Sequence, residues 1–420
     1  MNKREFVHSL NKVKLVIGNG FDLHCHLHTT YSDFYCKYFQ KFLFIQNTFS
    51  EYEKTNTLSF DFADKRVNQL NSWDIFFALN SSFNPKECKK RWCDIERLIL
   101  SSLQPYDQEA PGIENLIVSL LSEINWRNIN HLIYSNLTPT NHTDRFMVSF
   151  IKEKMNYLNC KQYNFYQFLL NELKEFEKTF GEFIYYQLHD EYLELINYGQ
   201  SFFNEAYIEM AKDTIEELCN IDNLVGIDSF NYSYIHTEGM MKLLQHINGS
   251  FENPIFGVDT VFEPNDECFI FTKTARRMDA DMFDDSTEEK PSFDNLIVFG
   301  HSLDEADYSY FFPAFDRLHL LDSLASNVVV FAFSIFDKEK ETEIKANIRQ
   351  SVSDIMYSYA KSKNLSDPNR FLDSLSTQNR VILYEIPQLR RRNYSTCFLD
   401  QKWIDIYKHV DAETNKEKRD

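Results

Sequence analysis

Residues 13–34 read VKLVIGNGFDLHCHLHTTYSDF, and this stretch decides the fold. It begins with residues 13–17, an apolar run rich in β-branched side chains, which ends on Gly18-Asn19-Gly20. Such a run predicts a buried strand followed by a tight turn. The two glycines permit close approach to the backbone, and a helix that follows would present N–H groups suited to phosphate. A plain strand-to-helix turn is the alternative, because no third glycine follows at the dinucleotide-binding spacing.

The composition is that of a globular protein. The chain has 420 residues, of which 43% are hydrophobic and 25% are charged. These values are ordinary, and the length allows two or three domains. Only 10 glycines and 10 prolines occur, so we expect long helices between sparse strands.

The net charge and the cysteines indicate which partners and which cellular compartment to expect. The net charge of -19 disfavours nucleic acid, because binders of a phosphate backbone usually carry a basic face. No apolar run of about 18 residues occurs, so no membrane span is predicted. Residues 1–11 lack the apolar core of a signal peptide, and the 8 cysteines include no C-x-x-C pair. We therefore expect reduced thiols and a cytoplasmic location. A homo-oligomer remains open.

The chain changes character near residue 220. Residues 35–219 carry apolar side chains at spacings of three and four, which predicts mainly helix. Four short apolar runs then follow, each rich in β-branched residues, at 224–232, 295–300, 327–333 and 380–386. Runs of this kind between helices are typical of buried parallel strands.

These patterns predict an α/β, Rossmann-like fold with a mostly parallel sheet and helices on both faces. Residues 1–34 and 220–400 would form one discontinuous domain. Residues 35–219 would form a large, mainly helical insertion, and residues 401–420 a charged C-terminal tail.

Four polar clusters lie at or just after predicted strand ends. In open α/β sheets ligands bind outside the carboxyl ends of the strands, so the clusters predict a shared site. Taken singly, the asparagines fit turns, and Ser302 fits a helix N-cap. The clusters are Gly18-Asn19-Gly20-Phe21-Asp22, Asn231-Tyr232-Ser233, Asn248-Gly249-Ser250, and Gly300-His301-Ser302 with Asp307.

The order of these motifs resembles that of the abortive infection AbiH family of phage-defence proteins. The opening GNGFDL at 18–23, followed by YSDF at 31–34, resembles the family's first signature. The later motifs fall in the family's order from about residue 13 to about residue 335. They are Trp92-x-Asp94-x-Glu96, Phe230-Asn231-Tyr232, Gly249-Ser250, and VFGHSL at 298–303 with Asp307.

The same order resembles, more distantly, sirtuin-like NAD-binding domains. That resemblance implies that Gly18 and Gly20 approach a pyrophosphate, and that Gly300 and Ser302 contact the adenosine ribose. Asn231 would orient the nicotinamide ribose or the attacking water. The implied reaction cleaves the nicotinamide glycosidic bond of NAD, giving an ADP-ribose product and killing the infected cell by loss of NAD. The predicted cofactor-binding residues are Gly18, Asn19, Gly20, Phe21, Asp22, Gly300, His301, Ser302 and Asp307.

Two departures from the family patterns affect the predicted catalytic residues, Asn231, Asn248, His246 and Asp22. Asn248 stands where these families usually have the histidine of a His-Gly-Ser motif, and asparagine cannot act as a base. His246 lies two residues earlier, which on a strand faces the same side, so it is an imperfect candidate to replace that base. His-Leu-His at 26–28 stands in place of the usual Gly-Leu-Pro turn.

No metal is predicted. His24, His26 and His28 alternate, but no carboxylate or cysteine pair completes a ligand set at standard spacing. The acidic stretch 279–289 lacks the calcium-loop spacing.

Two other functions remain open. One is a non-catalytic sensor, whose α/β site binds a nucleotide while the helical part binds a phage component. The other is a metal-dependent nuclease, built from carboxylates that would have to meet around the ion: Asp22, Asp94, Glu96 and Asp307.

Overall fold

The structure is a computed structural model. It describes residues 2–79, 95–104, 124–135, 139, 141–160, 164–189, 205–235, 239–258, 262–279 and 292–388. Within these residues the fold is α/β, with a six-stranded sheet whose paired strands are all parallel. The predicted α/β class and parallel sheet are confirmed.

The strands match the apolar runs of the sequence with one exception. Five of them lie within predicted runs, whereas the three-residue β3 was not predicted because its Leu-Gln-His sequence has no apolar run. The strands are β1 Val13–Ile17, β2 Leu224–Ser229, β3 Leu244–His246, β4 Asn295–Phe299, β5 Val328–Phe333 and β6 Val381–Glu385.

The strand order is β3-β2-β1-β4-β5-β6. The opening strand is therefore internal: Leu15 lies opposite Ile227 of β2 on one side and Ile297 of β4 on the other. Because all strands run parallel, their carboxyl ends lie at one edge of the sheet. The turns after β1, β2, β3, β4 and β5 lie along this edge.

The helices follow the predicted amphipathic stretches. Tyr38 ends α3 and precedes α4, so the chain is divided into two helices there. The helices are α1 Lys3–His8, α2 Asn19–His24, α3 Tyr31–Lys37, α4 Phe39–Thr55, α5 Lys65–Asn68, α6 Ser72–Leu79, α7 Ile95–Leu103, α8 Trp126–Tyr134, α9 His142–Tyr157, α10 Phe165–Leu188, α11 Glu205–Leu218, α12 Lys273–Asp279, α13 Tyr308–Arg317, α14 Glu341–Ser362 and α15 Pro368–Thr377. No described helix combines the length and apolar character needed to cross a membrane.

The described residues form two compact units. The sheet unit takes its residues from Met1–Thr29, Gly181–Pro254 and Arg277–Tyr394, and the helical unit from Thr30–Phe180 and Ile255–Arg276. The predicted tail 401–420 lies outside the described residues, as do Asp94 and most of the acidic stretch 279–289.

The core of the sheet unit lies between strands and helices. Val329 and Phe331 of β5 pack in one cluster with Phe311 of α13 and with Ile355 and Tyr359 of α14. Burial of such side chains contributes about 1.5–3 kcal/mol each. This packing fixes the strand ends that carry the polar turns.

The helical unit has an aromatic core and buried ion pairs of its own. Trp73 and Trp126 are fully buried, with their ring centroids 5.2 Å apart. Glu177 binds the guanidinium of Arg276 through both oxygens, at 2.9 and 2.7 Å. A cavity of about 220 Å³ in this unit is lined mainly by apolar side chains, among them Phe44, Ile45, Phe60, Leu70 and Phe146.

Candidate functional site

The turns after β1 and β4 interlock through their backbones. The Gly18 N–H donates to the Phe299 carbonyl at 3.0 Å, and the Gly20 N–H donates to the Gly300 carbonyl at 2.7 Å. A Cβ added to Gly20 would lie 2.7 Å from the Gly300 Cα, and one on Gly300 would lie 2.4 Å from the Phe21 nitrogen. The close approach expected at Gly18 and Gly20 is thus made by the β4 turn. Their contact with a pyrophosphate stays a prediction.

Gly300 itself has φ +68°, a left-handed conformation that side chains rarely adopt. Phe21 is fully buried, with its ring edge-on to Phe299 at 6.2 Å. Phe21 therefore belongs to the core beneath the turns.

Asp22 is the centre of a buried hydrogen-bond cluster. It is 1% exposed and lies in α2, where its Oδ1 accepts from Ser233 Oγ at 2.8 Å and from the Tyr207 hydroxyl at 2.9 Å. The Thr29 hydroxyl lies 3.2 Å from its Oδ2. Burial raises the pKa of Asp22 to about 6, although these hydrogen bonds lower it. The carboxyl group thus joins α2 to α11 and to the turn after β2.

Sequence reasoning missed Tyr207 and Thr29. Tyr207 lies in an amphipathic helix, where a tyrosine in the apolar stripe looks like ordinary core. Thr29 also lies 2.8 Å from Asn19 Oδ1, so it ties two predicted site residues together. The sequence gives no signal for Tyr207, because its partner Asp22 is 185 positions away. It gives none for Thr29 either, because no motif links a threonine to an aspartate seven positions earlier.

Asn231 connects the turn after β2 to its two neighbours. Its Nδ2 donates to the Gly18 carbonyl at 3.0 Å, and its own carbonyl accepts from His246 Nδ1 at 3.0 Å. Asn231 is 4% exposed, and its Oδ1 has no hydrogen-bond partner among the described residues. A buried oxygen of this kind is unusual, since most buried polar atoms are paired.

His246 ends β3 and has a fixed tautomer. Since a carbonyl can only accept, Nδ1 must carry the proton in the bond to Asn231. Nε2 then holds a lone pair, and it is buried without a partner in the parts of the chain that the structure describes. Burial also lowers the pKa of His246, so the ring is neutral at neutral pH. His246 therefore presents the form of imidazole that can accept a proton.

Asn248 is held by a neighbouring arginine. Its Oδ1 accepts from a guanidinium nitrogen of Arg277 at 3.1 Å, and Arg277 Nε donates to the Ile247 carbonyl at 2.9 Å. β3 ends at His246, so the strand alternation expected to place both side chains on one face does not extend to Asn248. The turn there includes Gly249 with φ +79°.

His301 orders the turn after β4. Its Nδ1 accepts from the Leu303 N–H at 2.9 Å, so Nε2 carries a proton and faces Asp307 Oδ2 at 3.4 Å. The ring packs edge-on against Phe230 at 4.4 Å and Phe311 at 5.1 Å. Leu303 has φ +57°, a strained conformation held in place by these contacts.

Ser302 is exposed at this turn. The alternative that it caps a helix is wrong, because Asp307 occupies the N-cap position of α13.

His24 forms a second buried cluster, near the end of β5. It is 1% exposed, and its Nδ1 lies 3.1 Å from Ser334 Oγ. Its Nε2 has no partner within the described ranges of the chain. Burial lowers the pKa of His24 to about 4, so this ring is also neutral at neutral pH.

The three described carboxylates of the nuclease alternative belong to different units. Glu96 pairs with Lys273 at 2.8 Å in the helical unit, whereas Asp22 and Asp307 belong to the sheet unit. In the residues that the structure describes, no group of three or more His, Cys, Asp and Glu side chains could hold a metal ion.

Comparison with known proteins identifies the family. The family model described as bacteriophage abortive infection AbiH matches residues 15–322. Searches of curated proteins and of solved structures found no significant match. The matched region runs from β1 past α13 and contains the turns after β1, β2, β3 and β4. Since it spans well over half of the 420 residues, the chain belongs to the bacteriophage abortive infection AbiH family, which implies a function in phage abortive infection.

Proposed function

We propose that the chain binds NAD at the carboxyl edge of its sheet and hydrolyses the nicotinamide glycosidic bond during abortive infection. The observation that carries this proposal is a pair of buried acceptors without partners among the described residues, Asn231 Oδ1 and His246 Nε2. Leaving such atoms unpaired costs about 1–3 kcal/mol each. Ligand hydroxyls or a bound water that donate to both atoms would recover that free energy.

The topology supports a dinucleotide as the ligand. The order β3-β2-β1-β4-β5-β6 is the one found in Rossmann-like dinucleotide-binding sheets. In such sheets the ligand crosses the point where the strand order reverses, which here lies between β1 and β4. The interlocked turns at Gly18 and Gly300 lie at that point.

The proposed chemistry uses the neutral His246. A water oxygen attacks C1′ of the nicotinamide ribose while Nε2 accepts the water proton. The bond between C1′ and the ring nitrogen breaks, and nicotinamide leaves with the bonding electron pair. Asn231 Oδ1 orients the ribose hydroxyl or the water. Asp22 acts as a positioning residue, because its carboxyl group is enclosed by Ser233, Tyr207 and Thr29.

Two substitutions at one position test this assignment. In His246→Asn the side-chain amide reaches the place of Nδ1 and keeps the bond to the Asn231 carbonyl, but it removes Nε2. His246→Gln places an amide near Nε2 and removes the Nδ1 bond. Purified protein is incubated with NAD, and nicotinamide is measured by chromatography. We expect release by the wild type and a loss of about 100-fold or more in both variants.

Asn248→His is the matched control for the position of the base. If His246 is the base, this variant does not exceed the wild type, because residue 248 is held by Arg277. If the wild type releases no nicotinamide but Asn248→His does, the base belongs at position 248 instead. Absence of nicotinamide from every protein, with no NAD binding by calorimetry, contradicts the proposal.

A second candidate is a non-catalytic nucleotide sensor. The bond between Asn248 and Arg277 favours it, since this position carries no base and is already occupied. The sensor would bind a nucleotide in the sheet unit and a phage component elsewhere. It predicts NAD binding by calorimetry without nicotinamide release, in the wild type and in Asn248→His alike.

A further inference from the structure

The loop that follows β5 places an exposed phenyl ring beside a buried imidazole. Phe336 is 48% exposed, and its ring centroid lies 6.2 Å from that of His24. β5 ends at Phe333, so this loop lies at the same edge of the sheet as the turns after β1 and β4. An exposed aromatic face at a ligand-binding edge suits a planar ligand.

His24, whose ring neighbours that of Phe336, carries an unsatisfied hydrogen-bonding atom. If Nδ1 donates to Ser334 Oγ, then Nε2 is an acceptor, and if Nδ1 accepts, then Nε2 is a donor. In either case Nε2 is buried, and none of the described residues pairs with it. A heterocycle that carries both donors and acceptors at its edge can satisfy either form.

The distance along the sheet decides which heterocycle fits. Asn231 and His246 follow β2 and β3, whereas Phe336 follows β5, so β1 and β4 lie between them. Three strand spacings from β2 to β5 amount to about 14 Å. The nicotinamide ring is bonded directly to the ribose that Asn231 and His246 would hold, so it cannot reach Phe336. The adenine ring, at the far side of the pyrophosphate, can.

We propose that Phe336 and His24 form the adenine subsite of the dinucleotide. This inference rests on the proposed function and gives the ligand a direction, from nicotinamide ribose at β2 and β3 to adenine at β5. Adenine stacks on the Phe336 ring, and its amino group or a ring nitrogen pairs with His24 Nε2.

Calorimetry on the full chain tests the subsite. AMP, nicotinamide mononucleotide and NAD are titrated into the wild type, Phe336→Ala and Phe336→Trp. The matched control is Tyr357→Ala, which removes another exposed aromatic ring (44% exposed) from the sheet unit. We expect Phe336→Ala to lower the affinity for AMP and NAD about fivefold or more and to leave the affinity for nicotinamide mononucleotide unchanged. Phe336→Trp and Tyr357→Ala retain wild-type affinity.

A second variant tests the polar contact. Inosine monophosphate replaces the adenine amino group by a carbonyl, so the wild type should discriminate it from AMP. In His24→Gln, with folding verified by thermal melting, that discrimination should change. A merely structural role of His24 would weaken both nucleotides equally and would overturn its part of the proposal.

The outcomes separate this inference from the proposed function. Unchanged AMP and NAD affinity in Phe336→Ala overturns the subsite and leaves NAD hydrolysis standing. If Phe336→Ala lowers the affinity for nicotinamide mononucleotide as much as that for AMP, the adenine assignment is overturned. If NAD is not hydrolysed but AMP binding depends on Phe336, the subsite stands and the hydrolase proposal fails. No binding of AMP or NAD to the wild type overturns both.

Discussion

Asp22 is almost completely buried and has three hydroxyl neighbours. Burial disfavours its charged form, whereas the hydrogen bonds from the hydroxyls stabilise that form. Burial raises its pKa to about 6, and the hydrogen bonds from Ser233, Tyr207 and Thr29 limit the rise. The folded state therefore binds the carboxyl proton more tightly than the unfolded state does. Between the ordinary aspartate pKa of 3.8 and about 6, the stability contributed by Asp22 falls as pH rises, and above that range it stays low.

Asp22→Asn removes this penalty, since the amide is neutral at every pH. We expect the variant to be more stable than the wild type by about 1 to 3 kcal/mol at pH 7.5. The difference should shrink as pH falls from 6 to 4, where the wild-type carboxyl group takes up its proton. Urea denaturation at pH 4.5, 6 and 7.5 measures it. The control Asp373→Asn, at an exposed carboxylate of α15, should change little. A pH-independent difference would contradict the raised pKa.

Tyr207→Phe tests the same cluster from its other side. The hydroxyl donates to Asp22, and its bond lowers the pKa of that carboxyl group. We expect a loss of about 1.5 to 3 kcal/mol at pH 7.5 and a further rise in the pKa of Asp22. Denaturation as a function of pH gives both quantities. Tyr357→Phe, which alters an exposed ring, serves as the control, and equal losses in the two variants would exclude a special role for Tyr207.

At the scale of elements, the turns after β1 and β4 act as one unit. The turn after β1 donates two backbone hydrogen bonds, to the carbonyls of Phe299 and Gly300, and the packing leaves no room for a Cβ at Gly18, Gly20 or Gly300. The strands beneath them are neighbours with parallel register, Ile17 opposite Phe299. The interlock therefore fixes where α2 begins and how His301 is presented.

Gly300→Ala should disrupt this interlock. The new Cβ meets the Phe21 nitrogen at 2.4 Å, and the backbone has φ +68°. We expect a loss of about 2 to 4 kcal/mol, measured by chemical denaturation. Gly226→Ala is the matched control, because a Cβ on this β2 glycine comes no nearer than 3.9 Å to a neighbouring atom. Similar losses in the two variants would show that the turn packing is unimportant.

At the scale of the whole molecule, charge separates nucleotide binding from nucleic-acid binding. The chain carries a net charge of -19, which repels an extended phosphate backbone but permits a small ligand at a local site. The family assignment implies phage defence without specifying the molecule that is acted on.

We expect no saturable binding of duplex DNA or single-stranded RNA at about 150 mM salt, because no favourable counterion release offsets the repulsion. Fluorescence anisotropy with labelled oligonucleotides measures it. The same preparation should bind NAD in calorimetry, which shows that the protein is active for binding. Salt-sensitive binding of DNA, together with magnesium-dependent cleavage that is lost in Asp22→Ala, would support the nuclease alternative instead.

The sequence by itself determined the α/β class, five of the six described strands and the family. These features are local or sequential: β-branched apolar runs favour buried strands, and motif order needs no contacts. β3 was not predicted, because its three residues have no strand pattern of their own and form a strand through pairing with β2. Only the tertiary structure decided which polar atoms are paired. In the folded chain Tyr207 hydrogen-bonds Asp22, and Arg277 hydrogen-bonds Asn248. His246 Nε2 and Asn231 Oδ1 have no partners among the described residues. Burial and hydrogen bonding depend on residues far apart in the chain, such as Asp22 and Tyr207 at a separation of 185 positions, and no spacing rule encodes them.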